Sequence, residues 1–164
     1  MTRRLILMRH AKSSWGDPAQ PDHARPLNGR GQRSATALGD WLRTQGYLPD
    51  RVLSSSSVRT RDTFDRLGLD APAQFSDALY HASPAIMLKA LRTASGQTVL
   101  MLGHHPGISA FARSLVATPP THDRFDDYPT GATLVADFPI TDWGDLTPGS
   151  GQAVDFIVPR ALTG

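Results

Sequence analysis

Cysteine is missing from the 164-residue chain. That one absence excludes a disulfide framework, a thiolate zinc site and a cysteine nucleophile together. Long apolar runs are missing too, so no segment reads as a membrane span. The longest early run, Leu5-Ile6-Leu7-Met8, follows two arginines but is cut off by Arg9-His10. It is too short for a signal-peptide core, and the chain is expected in the cytoplasm. No run of Lys and Arg reaches five residues, and a net charge of +2 gives no reason to expect a nucleic-acid partner. Neither a Walker loop nor a dinucleotide glycine pattern is present, so no nucleotide cofactor is expected. Lysine is scarce, with only Lys12 and Lys89. The other basic side chains are arginines, the better residue for bidentate phosphate recognition, although a high-GC coding bias gives the same skew.

What is present suits one α/β domain over residues 1–164. The length and a hydrophobic share of 40% are enough for a core without covalent staples. Leu5–Met8 reads as a short buried strand ending in charge. From Asn28 to about Thr44 the pattern is helical, with Ala35, Leu38 and Leu42 on one face and Gly46 as a stop. Arg51-Val52-Leu53 reads as a strand, then a serine cluster leads into a helix through Val58, Phe64 and Leu67. Met87, Ala90, Leu91 and Ala94 share a helical face, and so do Ile108, Phe111, Ala112 and Leu115 after Pro106. Thr98–Leu102 is the most apolar strand; 132–138 and 153–158 are further strands around a loop over 139–151. Strands alternating with helices predict a three-layer α/β/α sandwich with a mostly parallel central sheet.

In such sheets ligands bind beyond the carboxyl ends of the strands. Polar residues gather there: Arg9-His10 after the first strand, serines and Arg59 after the second, Gly103-His104-His105-Pro106-Gly107 after the central one. Arg25 precedes the first helix. Arginine forks match phosphate oxygens, helix N-termini add N–H donors, and a histidine nitrogen can take a phosphoryl group. Taken singly these residues have duller readings: Arg9-His10 as a solvated loop pair, His104-His105 as a helix start. Adjacent histidines turn poorly toward one ion, and no His-Glu-x-x-His helix exists, so no metal is expected.

Together the segments resemble the histidine phosphatase superfamily, which includes the phosphoglycerate mutases. Leu7-Met8-Arg9-His10-Ala11-Lys12 is similar to its opening Arg-His signature, and Arg25-Pro26-Leu27-Asn28-Gly29-Arg30-Gly31 to the segment that follows. Ser54–Thr63, with Arg59, resembles its Ser-x-x-x-Arg-x-x-x-Thr element. Gly103-His104-His105-Pro106-Gly107 resembles its Gly-His-Asn-Pro-Gly element, with His105 where Asn is usual. The short length and the Arg-His-Ala-Lys-Ser start are most similar to the SixA-type phosphohistidine phosphatases. The resemblance implies a phosphoglycerate mutase-like fold and a metal-independent phosphatase that needs no cofactor. It implies His10 as the phosphorylated nucleophile, with Arg9, Arg59 and His104 holding phosphoryl oxygens and Arg25 and His105 contacting substrate. The implied partner is a phosphorylated protein or a small phosphorylated molecule. The alternatives are a phosphatase of small metabolites and a non-catalytic phosphate-binding module on the same fold.

Two departures bear on the chemistry. Where larger members carry a glutamate as proton donor, the stretch 75–81 offers only Asp77. The insertion that covers the substrate in the mutases is also missing. His23, His81 and His122 match no motif and read as surface residues.

Overall fold

A computed structural model describes residues 2–164. Its centre is a six-stranded sheet of β1 (Arg3–Arg9), β2 (Arg51–Ser55), β3 (Ala73–Ser76), β4 (Thr98–Gly103), β5 (Thr133–Phe138) and β6 (Gln152–Ile157). The spatial order is β3-β2-β4-β1-β5-β6. β1, β2, β3 and β4 pair in parallel, whereas β5 runs antiparallel to both β1 and β6. The sheet is therefore mostly parallel, with one strand reversed.

β1 is covered on both faces, which is why its sequence is a continuous apolar run rather than an alternation. Leu5 and Leu7 pack with α3 (Pro84–Arg92) and α4 (Gly107–Leu115) through Met87, Leu91, Ile108 and Phe111. Ile6 and Met8 face the opposite layer, α1 (Gly29–Gln45) and α2 (Val58–Leu67), through Leu38, Leu42 and Leu67. A short α5 (Arg160–Thr163) adds Leu162 to that layer. The architecture is the three-layer α/β/α arrangement of the phosphoglycerate mutase-like fold.

The helix ends follow the expected chemistry. Asn28 accepts the Gly31 N–H at 2.8 Å, and Gly46 ends α1 in the left-handed region at φ 76°. Two motif glycines are demanded by close packing. A Cβ on Gly31 would lie 2.1 Å from the Lys12 carbonyl oxygen, and one on Gly107 would lie 1.9 Å from that of Ala82. Each lets a helix start press against a loop that carries site residues.

Two features differ from the sequence expectations. β3 is an unexpected edge strand of four residues, too short to show a period. The stretch 139–151 is not simply loop: a 3-10 turn at Trp143–Asp145 buries Trp143, whose indole N–H donates to the Gly96 carbonyl at 2.8 Å. Among the described residues no helix is long and apolar enough to cross a membrane.

Candidate active site

Strand register builds the centre of the site. β1 and β4 are parallel neighbours with Arg9 opposite Gly103. The next residue on each, His10 and His104, therefore emerges at the same level, and their ring centroids are 5.3 Å apart. The backbone of His10 is pinned on both sides. Its N–H donates to the Gly103 carbonyl at 3.2 Å, and its carbonyl accepts the Gly131 N–H at 2.8 Å. β2 ends beside them, delivering Ser55 and the Ser57 cap of α2, so that Arg59 reaches in from the first turn of that helix.

The hydrogen bonds orient both imidazoles. His10 Nδ1 lies 2.7 Å from the Ala11 carbonyl oxygen, which can only accept, so this nitrogen carries the proton. That leaves the Nε2 lone pair of His10 facing the site, where the Arg59 Nε–H donates to it at 3.3 Å. His104 Nε2 lies 2.8 Å from Ser55 Oγ, while its Nδ1 accepts from Arg59 Nη2 at 3.2 Å. One guanidinium thus spans the two rings.

Electrostatics keep both rings neutral. Burial, together with the charges of Arg59 and Arg9, pushes His10 down to about 3. The Ala11 bond opposes this only in part. Burial, with His10 and Arg59 nearby, pushes His104 down to about 2. Burial and the Arg59 charge also lower Arg9. Arg9 and Arg25 each hold a buried Nε–H without a partner; the one other such donor among the described residues is on Arg3, at the far end of β1. Unpaired buried donors are costly unless an acceptor meets them.

The remaining sequence candidates are placed as follows. Arg9 Nη1 donates to the Tyr128 carbonyl at 3.0 Å. Arg25 is buried below exposed Trp15, its guanidinium carbon 3.9 Å from that ring, with Nη1 at 3.4–3.5 Å from the carbonyls of Asp17 and Ser14. Arg25 thus flanks the cluster without joining its hydrogen bonds. His105 is exposed on the rim, lowered by partial burial and then by the Arg9 charge. Asp77 is exposed and hydrogen-bonded to Ser56 Oγ, with no direct bond to His10, Arg59 or His104.

The carboxylate that does enter the cluster is Asp22, which sequence reading passed over. Its side chain accepts from Arg59 Nη2 at 3.0 Å and its carbonyl from Arg59 Nη1 at 2.7 Å. The side-chain Oδ2 also accepts from Tyr80 OH and lies 3.1 Å from His81 Nε2. Burial alone would raise the carboxyl, but the bonds from Tyr80, His81 and Arg59 hold it well below the usual carboxylate range. Asp22 is therefore placed to anchor Arg59, with its carboxyl held in the ionised form. His81 is exposed, as expected of a surface residue, yet it packs its ring 4.8 Å from that of His104, with its backbone in the left-handed region at φ 52°. A non-glycine residue held there is a mark of functional sites. His23 is drawn in as well, 3.0 Å from Ser56 Oγ and edge-on to Tyr80. His122 lies elsewhere, against Phe156. No pattern in a lone sequence marks Asp22; its only cue is its place three residues before Arg25.

The chain contains no glutamate at all, so its acidic residues are all aspartates. Among the described residues no three His or Asp side chains converge as a metal-binding group. A cavity of about 640 Å³ between the 117–122 segment and β6 is lined by His122 and Phe156 and by none of the residues gathered around His10 and His104.

Comparison with known proteins places this geometry. A sequence profile of the histidine phosphatase superfamily (branch 1) matches residues 5–83. An uncharacterised protein of Mycobacterium tuberculosis is 37% identical over 160 residues, spanning 93% of this chain and 100% of the relative. Among solved structures, a candidate phosphohistidine phosphatase SixA from Nakamurella multipartitia is 32% identical, covers 97% of both chains and superposes with a TM-score of 0.84. The protein histidine phosphatase SixA, solved with tungstate, shares the fold at a TM-score of 0.76 and 24% identity, over 98% of this chain and 99% of that one.

Proposed function

Given that the chain belongs to the histidine phosphatase superfamily as a SixA-type member, and is thus a phosphatase, we propose that it hydrolyses phosphohistidine on a protein through a covalent intermediate on His10. The observation that carries this reading is the state of His10: neutral, proton fixed on Nδ1, lone pair on Nε2 aimed at an arginine. A nucleophile needs that lone pair, and a phosphate-binding module would need the arginines alone.

The steps follow from the groups in place. The phosphoryl group enters between His10 and His104, and Arg59 turns its N–H groups from the two imidazoles to the phosphoryl oxygens. Arg9 and Arg25 offer their unpaired Nε–H groups to the same oxygens, and His105 contacts the substrate from the rim. His10 Nε2 attacks phosphorus in line as the bond to the leaving nitrogen breaks. Positioning and charge stabilisation carry most such transfers, and fixed guanidinium groups act without reorganising. Water then attacks phospho-His10, phosphate departs, and His10 regains its lone pair. In this reading the arginines supply the charge that a divalent metal would otherwise bring, and no cofactor takes part.

The leaving group explains the substrate class. A protonated imidazole departs as a neutral amine and needs little help, whereas an alkyl ester expels a basic alkoxide and needs a positioned acid. Asp22 stays ionised, and Asp77 makes no direct bond to the cluster. Both facts favour phosphohistidine over small alkyl phosphates. We place this activity in the cytoplasm and in residues 1–164 acting as one domain.

The test is turnover by purified protein on a phosphohistidine protein, an aryl phosphate, 3-phosphoglycerate and sugar phosphates, with and without EDTA. The expected result is hydrolysis of the first two, slow attack on the others, no effect of chelator, and competitive inhibition by vanadate. Efficient turnover of 3-phosphoglycerate would move the reading to a metabolite phosphatase, and rescue by a divalent ion after EDTA would remove metal independence.

A further inference from the structure

Beside the nucleophile lies a basic hollow that the steps above do not use. It has a volume of about 240 Å³ and is lined by Lys12, Arg30, Ser34, Arg124, Thr130 and Arg160, among others. Four separate segments contribute: the loop after β1, the first turns of α1, the loop before β5, and α5. Of its four cations only Arg124 is ion-paired, to Asp127 at 3.0 Å; Lys12, Arg30 and Arg160 have no carboxylate within 4.0 Å among the described residues. Clustered like charges repel, and an anion relieves that repulsion. A second observation points the same way. Ser34 is 7% exposed and lines the hollow, yet its hydroxyl has no hydrogen-bond partner in the protein among the described residues. That hydroxyl opens on the hollow and is free to donate to an anion held there.

The hollow adjoins the reaction centre through the backbone. Lys12 is two residues beyond His10, and Thr130 precedes Gly131, whose N–H holds the His10 carbonyl at 2.8 Å. It also extends outward along α1. A further hollow of about 490 Å³ shares Arg30, Ser34, Arg160 and Thr163 with it and adds Arg33 and Gly164. Together they form an elongated basic groove, sized for a short run of side chains more than for a single phosphate.

From this arrangement, and resting on the phosphatase reading above, we infer that the groove binds an acidic peptide segment lying next to the phosphorylated residue of a protein substrate. Carboxylates of that segment meet Lys12, Arg30 and Arg160, and Ser34 donates to one of them. The groove sets substrate choice and leaves the chemistry at His10 unchanged.

The double variant Arg30→Gln/Arg160→Gln tests this in two arms. In the first, a fluorescent peptide rich in Asp and Glu, and its Asn/Gln counterpart, are titrated against native and variant protein by anisotropy. The acidic peptide is expected to bind the native protein alone, with Kd raised about tenfold in the variant, as expected for two partly exposed cations. In the second, KM and kcat are measured for phosphohistidine peptides with acidic or neutral flanks and for an aryl phosphate. KM should rise for the acidic-flanked peptide only, with kcat unchanged throughout. Equal binding of both peptides, or acidic-peptide binding that the variant leaves intact, overturns the inference. Loss of all turnover in native protein would instead remove the phosphatase reading, while the first arm still decides the groove.

Discussion

The two sides of β1 do different work. On its parallel side, β4 and β2 end at the same rim as β1, so His10, His104, Ser55 and Arg59 meet there within hydrogen-bond reach. On its antiparallel side, β5 begins where β1 ends, so it brings an N-terminal end rather than a carboxyl end to the rim. It brings a tightly packed aromatic cluster of Phe125, Tyr128 and Phe156. Tyr128 belongs to that cluster and grips the nucleophile strand from behind. It is fully buried, and its hydroxyl donates to the Leu7 carbonyl at 2.5 Å and accepts the Leu134 N–H at 3.1 Å. Its own carbonyl accepts from Arg9. Parallel neighbours assemble the chemistry, and the antiparallel neighbour fixes the strand that carries it.

That division predicts that substitutions on the two sides separate activity from stability. The largest effect is expected for His10→Ala, with turnover lost by on the order of 10⁴ or more. Its denaturation midpoint should stay near the native value, because the ring makes only two hydrogen bonds, to the Ala11 carbonyl and from Arg59. A variant that kept near-native turnover would break the comparison at its root.

Asp22→Asn should come next. It weakens the clamp on Arg59 while leaving shape intact, and kcat/KM should fall by about 10–100-fold, the worth of a bond between charged groups. As a positioning residue, Asp22 should act mainly on kcat, and Asp77→Asn should stay within about twofold on a phosphohistidine substrate. Equal losses in the two variants would mean that Asp77 has a role its bond to Ser56 does not suggest.

On the other side of β1, Tyr128→Phe leaves the Leu7 carbonyl and the Leu134 N–H short of a partner. Stability should drop by about 1–3 kcal/mol in chemical denaturation, with kcat/KM within about threefold. A large kinetic loss at unchanged stability would contradict a purely supporting role.

A further effect concerns pH. His10 is near 3 and His104 near 2 in the folded chain, and both return to about 6.5 when unfolded. Below that value the unfolded state takes up protons that the folded state refuses. Stability is thus fully present above about 6.5 and is lost as pH falls toward 3. The melting temperature should decline through this range, less steeply in His10→Ala. Activity should show no acidic inflection near 6.5 from the nucleophile.

Much of this was legible in the sequence because its signals are local. The apolar runs of β1 and β4, the Asn28 and Gly46 ends of α1, and the histidines after two strands each carry their own cue. β3 was not legible, since four residues show no period, and neither was the Trp143 turn inside a Pro- and Gly-rich stretch. At the site, His10, His104, Arg9 and Arg59 stood out as motif residues. Asp22, Tyr80 and His81 did not, because their role exists only once the 3-10 turn at Asp22–Ala24 lies against the loop before α3. Asp77 drew attention as the one acid in its stretch, whereas the carboxylate that holds Arg59 is far away in sequence.

The most direct test of the account is to capture the intermediate. Native protein would be mixed with a radiolabelled phosphohistidine protein or aryl phosphate, quenched in alkali within milliseconds, digested and mapped by mass spectrometry. The account predicts acid-labile phosphate on the peptide holding Arg9-His10-Ala11, on His10 Nε2, absent from His10→Ala. Phosphate on His104, His105 or another residue, or turnover with no labelled enzyme at any time, would contradict it.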